Sequence, residues 1–181
     1  MIEVKLPKNV SPALARFADV LCMYDLPVFS AQLALVLEGS RTPLDERAIM
    51  FRLTEQAIHV WAVELLEIQR RSADADSLRR LAPITDRASA RAAREAADAL
   101  DGKPVGHARG AALFASCDSS DDCAPARAAE HAAYAAAQTA ACCARPDDAR
   151  RVYDSAVGLL AALRAGRCSP DRRFEPLLNE S

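Results

Sequence analysis

The segment that decides the fold is APARAAEHAAYAAAQTAACCA, residues 124–144, in which most positions are alanine and none is glycine. Alanine has the highest helix propensity, because its side chain loses no rotamer entropy in a helix. Asp122 precedes the segment as an N-cap and Pro125 lies in the predicted first turn, so the sequence predicts one long helix that ends near Ala144. Its nearly uniform small faces favour a central helix that is closely surrounded and deeply buried.

Three more alanine-rich helices are predicted around this segment. The chain has 39 alanines among 181 residues, and 28 of the alanines fall within residues 86–165. Thr85 or Asp86 is the N-cap of the first of these helices, Pro104 opens the second and Pro146 opens the last. The predicted ranges are 86–102, 104–117 and 146–166.

Larger apolar side chains dominate the sequence before residue 72. Helices are predicted over 12–23, after the cap Ser11, and over 27–39. A long helix follows, which opens at Thr42-Pro43 and has Asp45 in its first turn. A helix with two apolar stripes contacts neighbours on both sides, so Trp61 is predicted to lie in the core. One stripe is Ile49, Leu53, Ala57 and Val60, and the other is Ile58, Trp61, Leu65 and Ile68.

These elements predict an all-α fold, a single-domain bundle of about seven helices over residues 1–181. Within it we expect a large-residue helical layer over 11–72, an alanine-rich four-helix part over 86–166 and a loosely packed tail over 167–181. The polar residues 72–86 are predicted to form a connection with a short helical turn.

Charge and hydropathy argue against a nucleic-acid or membrane partner. The 23 basic and 25 acidic side chains give a net charge of −2, with no clustered excess of cations. The most apolar stretch, residues 21–37, is interrupted by Asp25 and Pro27, so no membrane span is predicted. The start, MIEVKLPKNVSPAL, does not have the pattern of a secretory signal, and we expect a cytoplasmic protein.

The motifs of common enzymes and cofactor sites are missing from the sequence. No phosphate-binding loop, dinucleotide fingerprint or G-x-S-x-G is present, and the three histidines, His59, His107 and His131, have no partner at helical spacing. Glu-x-x-His, which a di-iron bundle requires, is also absent. We therefore predict no catalytic residue, no cofactor and no metal, and a protein that is not an enzyme.

Six cysteines leave an alternative open. Cys117 and Cys123 bracket one loop and could form a disulfide across it. Cys142 and Cys143 end the next helix and His107 and His131 lie on neighbouring helices, so four ligands of this type could bind zinc. Their spacing is not that of a close C-x-x-C pair, and incidental or buried thiols are the simpler interpretation. The alternative function is a metal- or redox-responsive helical regulatory protein that uses Cys117, Cys123, Cys142 and Cys143.

The run DRASARAAREAADALDGKPVGHARGAALFA, residues 86–115, is followed by a short acidic loop and by residues 124–144. This arrangement resembles the alanine-rich helical domain of immunity proteins of bacterial polymorphic-toxin systems. The matching positions are 91–99, 101–103, 107–112, with its "H-A-x-G-A-A" pattern, and 126–137. The segment around Trp61 is similar to the upstream part of that family, so the resemblance covers about residues 60–165.

The resemblance implies a non-enzymatic protein that binds and neutralises a cognate protein toxin. Such a protein needs only an exposed patch with a matching shape and complementary charges. Because the net charge is only −2, a nuclease target is not favoured. The candidate partner-binding residues lie in and beside the acidic loop, where an ordinary solvated loop is the alternative. They are Asp118, Asp121, Asp122, Arg109 and Arg127.

Overall fold

The computed structural model describes residues 11–23, 45–100, 104–117 and 124–167, and every regular element in these ranges is a helix. The elements are α1 (Pro12–Met23), α2 (Glu46–Gln56), the π-helical turn π1 (Ala57–Ala62), α3 (Val63–Ile68), α4 (Ser72–Arg79), α5 (Arg87–Asp98), α6 (Gly106–Ser116), α7 (Ala124–Cys142) and α8 (Pro146–Arg164). Because α2, π1 and α3 are continuous, the described residues form seven helical rods, and the predicted all-α bundle is confirmed. The helix predicted over 27–39 and residues 168–181 of the tail lie outside the described residues.

Helix α7 is the centre of the bundle. It contacts α1, α6, α8 and all three parts of the long helix α2–π1–α3. Small side chains let these helices approach closely, and the expectation that this is the most buried of the four alanine-rich helices is confirmed. Its buried residues are Ala128, Ala129, Ala132, Ala133, Ala135, Ala136, Ala137, Thr139 and Ala140.

Trp61 connects the long helix to two other helices. Its indole is fully buried and stacks on Phe17 of α1, with ring centroids 6.0 Å apart. The Nε1–H donates to Ser155 Oγ of α8 at 3.1 Å, so the one polar group of the ring has a partner. The predicted core position of Trp61 is confirmed, and the large-residue helices share one buried cluster with the alanine-rich helices.

The two apolar stripes of the long helix are buried except at their ends. Val60 is only partly buried and Ile68 is 38% exposed, so the prediction that Ile68 belongs to the stripe is wrong. In π1 each turn takes more residues than an α-turn, which shifts the faces after it, and the chain reverses just beyond Ile68 at Arg70. Thr139 Oγ1 of α7 lies 2.9 Å from the carbonyl oxygens of both Trp61 and Ala135, so its single hydroxyl proton is shared between this turn and its own helix.

Side-chain caps begin α2 and α5, whereas α4, α6 and α8 begin without a side-chain cap hydrogen bond. Asp45 was expected in the first turn, but it precedes the helix as the N-cap, and its carboxylate accepts from the Ala48 N–H at 2.8 Å. An extended backbone at Asp45, with ψ of 156°, lets the carboxylate reach that N–H. Asp86 and Ser89 form a reciprocal capping box at α5, as the predicted cap position requires.

Helix α4 is longer than the short turn predicted between residues 72 and 86. It has eight residues and buries Ala75 and Leu78. Glu67, at the end of the preceding helix, accepts from Ser72 Oγ at 2.7 Å and pairs with Arg79 at 2.8 Å. These contacts between the two helices stabilise a segment whose polar composition alone indicates a connection.

None of the helices in the described ranges has both the length and the apolar character that crossing a membrane requires.

Candidate functional site

Aromatic rings and an arginine gather on one surface of α6 and α7, where nearly all other neighbours are alanine. The residues recur at spacings of three and four along each helix, so each set lies on one stripe. We call this surface the His–Tyr face. It consists of His107, Gly110 and Phe114 of α6 and Arg127, His131 and Tyr134 of α7.

The rings of the His–Tyr face are in mutual contact. His107 lies 6.0 Å from His131 and 5.2 Å from Tyr134 between ring centroids, and His131 stacks on Phe114 at 5.3 Å. Tyr134 meets His131 edge-on at 6.5 Å. All four rings are partly buried. They therefore form a continuous, half-exposed aromatic surface with a fixed geometry.

Gly110 makes the close approach of His131 possible. A Cβ atom at this position would lie 2.5 Å from His131 Nδ1 and 2.8 Å from two of its ring carbons. Any larger residue would thus push the ring off the α6 backbone. The glycine of the "H-A-x-G-A-A" pattern at 107–112 has a physical role here, and Ala108, Ala111 and Ala112 of the same pattern are buried.

Both histidines of this face are neutral near pH 7. Burial lowers the pKa of His107 below its ordinary value of 6.5. Burial also lowers the pKa of His131, with further lowering by the nearby His107 and Arg127 and an opposing effect of Glu130. His131 Nδ1 is buried and has no hydrogen-bond partner among the described residues.

Charged side chains border the rings. The exposed guanidinium of Arg127 lies 5.6 Å from the centroid of the Phe114 ring, a cation–π contact. Arg16 of α1 pairs with Glu130 at 2.9 Å, and this hydrogen bond holds the pKa of the Glu130 carboxyl below its usual range. Of the predicted partner-binding residues, Arg127 belongs to this face, whereas Arg109 pairs with Asp98 of α5 at 2.5 Å.

The other three predicted partner-binding residues, Asp118, Asp121 and Asp122, lie outside the described residues. The sequence prediction missed Phe114 and Tyr134, and it weighed His107 and His131 as metal ligands but not as parts of an interface. A signal was present, because the rings are spaced by seven positions in α6 and by three in α7, which places them on one side of each alanine-rich helix. Which neighbouring helix such a stripe meets depends on the tertiary packing.

The thiols of the alternative function are partly described. Cys117, Cys142 and Cys143 are free thiols, while Cys123 lies outside the described residues. Burial raises the pKa of Cys143 to about 11, and its Sγ lies 3.4 Å from the Thr139 carbonyl oxygen, so it is protonated at neutral pH. Within the described ranges no three histidine, cysteine or carboxylate side chains are grouped for a metal ion. The metal- or redox-responsive regulator stays a prediction of the sequence.

A concave region lies between α2 and the segment that follows α4. It encloses about 200 Å³. Glu55 accepts a hydrogen bond from the Ile84 N–H at 2.5 Å, and His59 Nε2, one turn further on, is buried with no partner among the described residues. Burial lowers the pKa of His59. The lining residues are Ala48, Phe51, Arg52, Glu55, Pro83, Ile84 and Thr85.

Comparison of the chain with protein-family models, curated proteins and solved structures finds no significant match. The function therefore has to be argued from the surface itself.

Proposed function

We propose that this chain is a non-enzymatic interaction protein of the immunity type, which binds and neutralises a cognate bacterial protein toxin through the His–Tyr face. The observation that carries the proposal is the concentration of three ring types and an arginine on one half-exposed surface. Tyrosine and arginine are among the side chains that contribute most to binding energy at protein interfaces.

The rigidity of the two helices supports this role. Helices α6 and α7 pack through buried alanines and through the contact of His131 with Gly110. Because the rings already hold one another in place, binding would fix few additional rotamers, and the entropic cost of association is reduced. A preorganised aromatic surface of this kind suits a stable complex between two folded proteins.

The charges around the face favour a partner that is recognised mainly by shape. Arg16 and Arg109 are each paired with a carboxylate, and Arg127 lies over an aromatic ring. The chain as a whole carries a net charge of only −2, so long-range electrostatic steering would be weak. We therefore propose a partner that offers an apolar or aromatic patch rather than a strongly basic cleft.

The test uses Tyr134→Ala and Arg127→Ala, together with the product of the gene adjacent to that of this chain, which the proposal requires to be toxic when it is expressed alone. Wild type should co-purify with that product and protect cells from it. Each substitution is expected to weaken binding by roughly thirtyfold, as truncation of a hot-spot residue at about 2 kcal/mol implies. Affinity is measured by calorimetry and protection by growth under toxin expression.

Tyr153→Ala and Arg150→Ala on α8 are matched controls, because they remove the same side chains from a different helix. Both controls should bind and protect like wild type. Absence of protection by the wild-type chain would contradict the immunity role. Equal losses in the α8 controls would instead contradict the assignment of the interface to the His–Tyr face.

A further inference from the structure

The position of His131 fixes which of its nitrogens carries the proton. Nδ1 is the ring atom nearest to Gly110, at 2.5 Å from where a Cβ would be, and it has no hydrogen-bond partner among the described residues. A buried donor or acceptor without a partner costs desolvation free energy, and in proteins an unpaired N–H is the rarer of the two. At neutral pH this arrangement favours the tautomer with the proton on Nε2 and an unprotonated Nδ1 facing α6.

A second proton on His131 would be disfavoured for two reasons. It would place an N–H on Nδ1 against the α6 backbone with no acceptor, and it would add a positive charge near Arg127 and His107. His107, from α6, is itself 6.0 Å away between ring centroids and would become a like charge when protonated. The nearby Glu130 carboxylate would stabilise the positive charge on His131, but it already forms a hydrogen bond with Arg16 of α1.

A protonated His131 side chain could rotate into water, because it is only partly buried. Rotation of the side chain away from Gly110 would hydrate Nδ1 and increase its distance from the α6 backbone. That rotation would also break the stacking of His131 on Phe114 and its edge contact with Tyr134. The aromatic surface would then lose its central ring.

We infer that the His–Tyr face is a pH-responsive surface, in which protonation of His131 in mildly acidic conditions moves its ring off Gly110 and opens the contact between that ring and α6. The movement is a property of this chain alone. If the proposed function is correct, and only then, the same movement would release the bound partner at acidic pH.

The movement is tested by solution NMR of the full chain between pH 7.5 and 5. In wild type the Gly110 backbone amide should shift with the same midpoint as the His131 Cε1–H, and that midpoint should lie below 6.5. In His131→Gln the Gly110 amide should not shift over this range. In His107→Gln the Gly110 shift should persist with a higher midpoint, because a repelling neighbour is gone.

A Gly110 amide that stays constant while His131 titrates would overturn the inference, as would an unchanged Gly110 shift in His131→Gln. Folding of each variant at pH 7.5 is checked by the fluorescence of Trp61. A second measurement needs no variant: the cross-relaxation between His131 Cε1–H and the Gly110 α-protons should be present at pH 7.5 and lost at pH 5. Its persistence at pH 5 would also overturn the inference.

The binding experiment separates this inference from the proposed function. If the Gly110 signals respond but affinity for the toxin-like partner is the same at pH 7.5 and 5.5, the ring movement is established and the use of this face for binding is contradicted. If affinity falls in wild type but not in His131→Gln, both are supported.

Discussion

Two residues of the described chain adopt a left-handed backbone, and both end helices. Arg70 has φ of 59° after α3, and Gly166 has φ of 75° after α8. The same hydrogen bond closes each end, from the Arg71 N–H to Leu66 O at 2.8 Å and from the Arg167 N–H to Ala162 O at 2.9 Å. Glycine adopts this conformation without a steric penalty, whereas arginine incurs one because of its Cβ atom.

Arg70→Gly should raise the free energy of unfolding by about 1 kcal/mol, because it removes the strain of a side chain in the left-handed region. Gly166→Ala should lower it by about the same amount for the same reason. Urea unfolding followed by Trp61 fluorescence measures both. A loss of stability in Arg70→Gly would show that contacts of the arginine side chain outweigh its backbone strain.

Of these two helix ends, the sequence predicts only the one at Gly166. The glycine stop at Gly166 was predicted, since glycine after a periodic apolar pattern is a local signal. The stop at Arg70 was not, because nothing in the side chain of arginine indicates a left-handed conformation. It arises where α3 must end for α4 to pack back on Glu67.

At the scale of single elements, α7 is the most sensitive helix of the bundle. Ala132 is fully buried where α7 meets its neighbours, whereas Ala141, near the end of the same helix, is exposed. Overpacking forces neighbouring side chains off their rotamers or moves the backbone. The stability of the bundle therefore depends on small side chains along the buried faces of α7.

Ala132→Leu is expected to lower the free energy of unfolding by roughly 1–3 kcal/mol. Ala141→Leu, the matched control, should change it by no more than about 0.5 kcal/mol, as is usual for surface positions. The two variants differ in burial but not in the amino acid introduced, and both are measured by urea unfolding. Equal stability of the two variants would mean that α7 has room for larger side chains.

Elements set by local signals were predicted well. Caps and alanine propensity placed α1 and α5–α8 within a few residues of their observed ranges, because these signals act between neighbours in the chain. The turn π1 and most of α4 were not predicted. Both make contacts that a local signal does not reveal: Thr139 of α7 approaches the Trp61 carbonyl of π1, and α4 pairs Arg79 with Glu67 and buries Ala75 and Leu78.

For the whole molecule, partly buried titratable groups set the dependence of stability on pH. The pKa values of His59, His107 and His131 are lowered, in each case first by burial. Below pH 6.5 the unfolded chain therefore binds more protons than the folded one, and stability falls as the pH falls. Glu64 acts in the opposite sense. Burial raises its pKa, so the folded chain takes up this proton more readily than the unfolded chain, and the contribution of Glu64 to stability increases as the pH falls.

Wild type should accordingly have a lower urea midpoint at pH 5.5 than at pH 7.5. Glu64→Gln should be more stable than wild type at pH 7.5, because it removes the desolvation of a buried carboxylate, and should lose stability more steeply towards acidic pH. Glu95→Gln, at an exposed position of α5, serves as the control and should follow wild type. A midpoint that rises from pH 7.5 to 5.5 in wild type would contradict the assignment of the three histidines.

The sequence by itself determined that this protein is a bundle of helices, where most of them begin and end, and that the alanine-rich helix α7 lies at its centre. These properties follow from propensity, caps and side-chain size, which operate locally. Only the tertiary structure decided which stripe of α6 meets which stripe of α7. Gly110 and His131 are far apart in the sequence, and their contact exists because close packing of alanines brings the two helix backbones together.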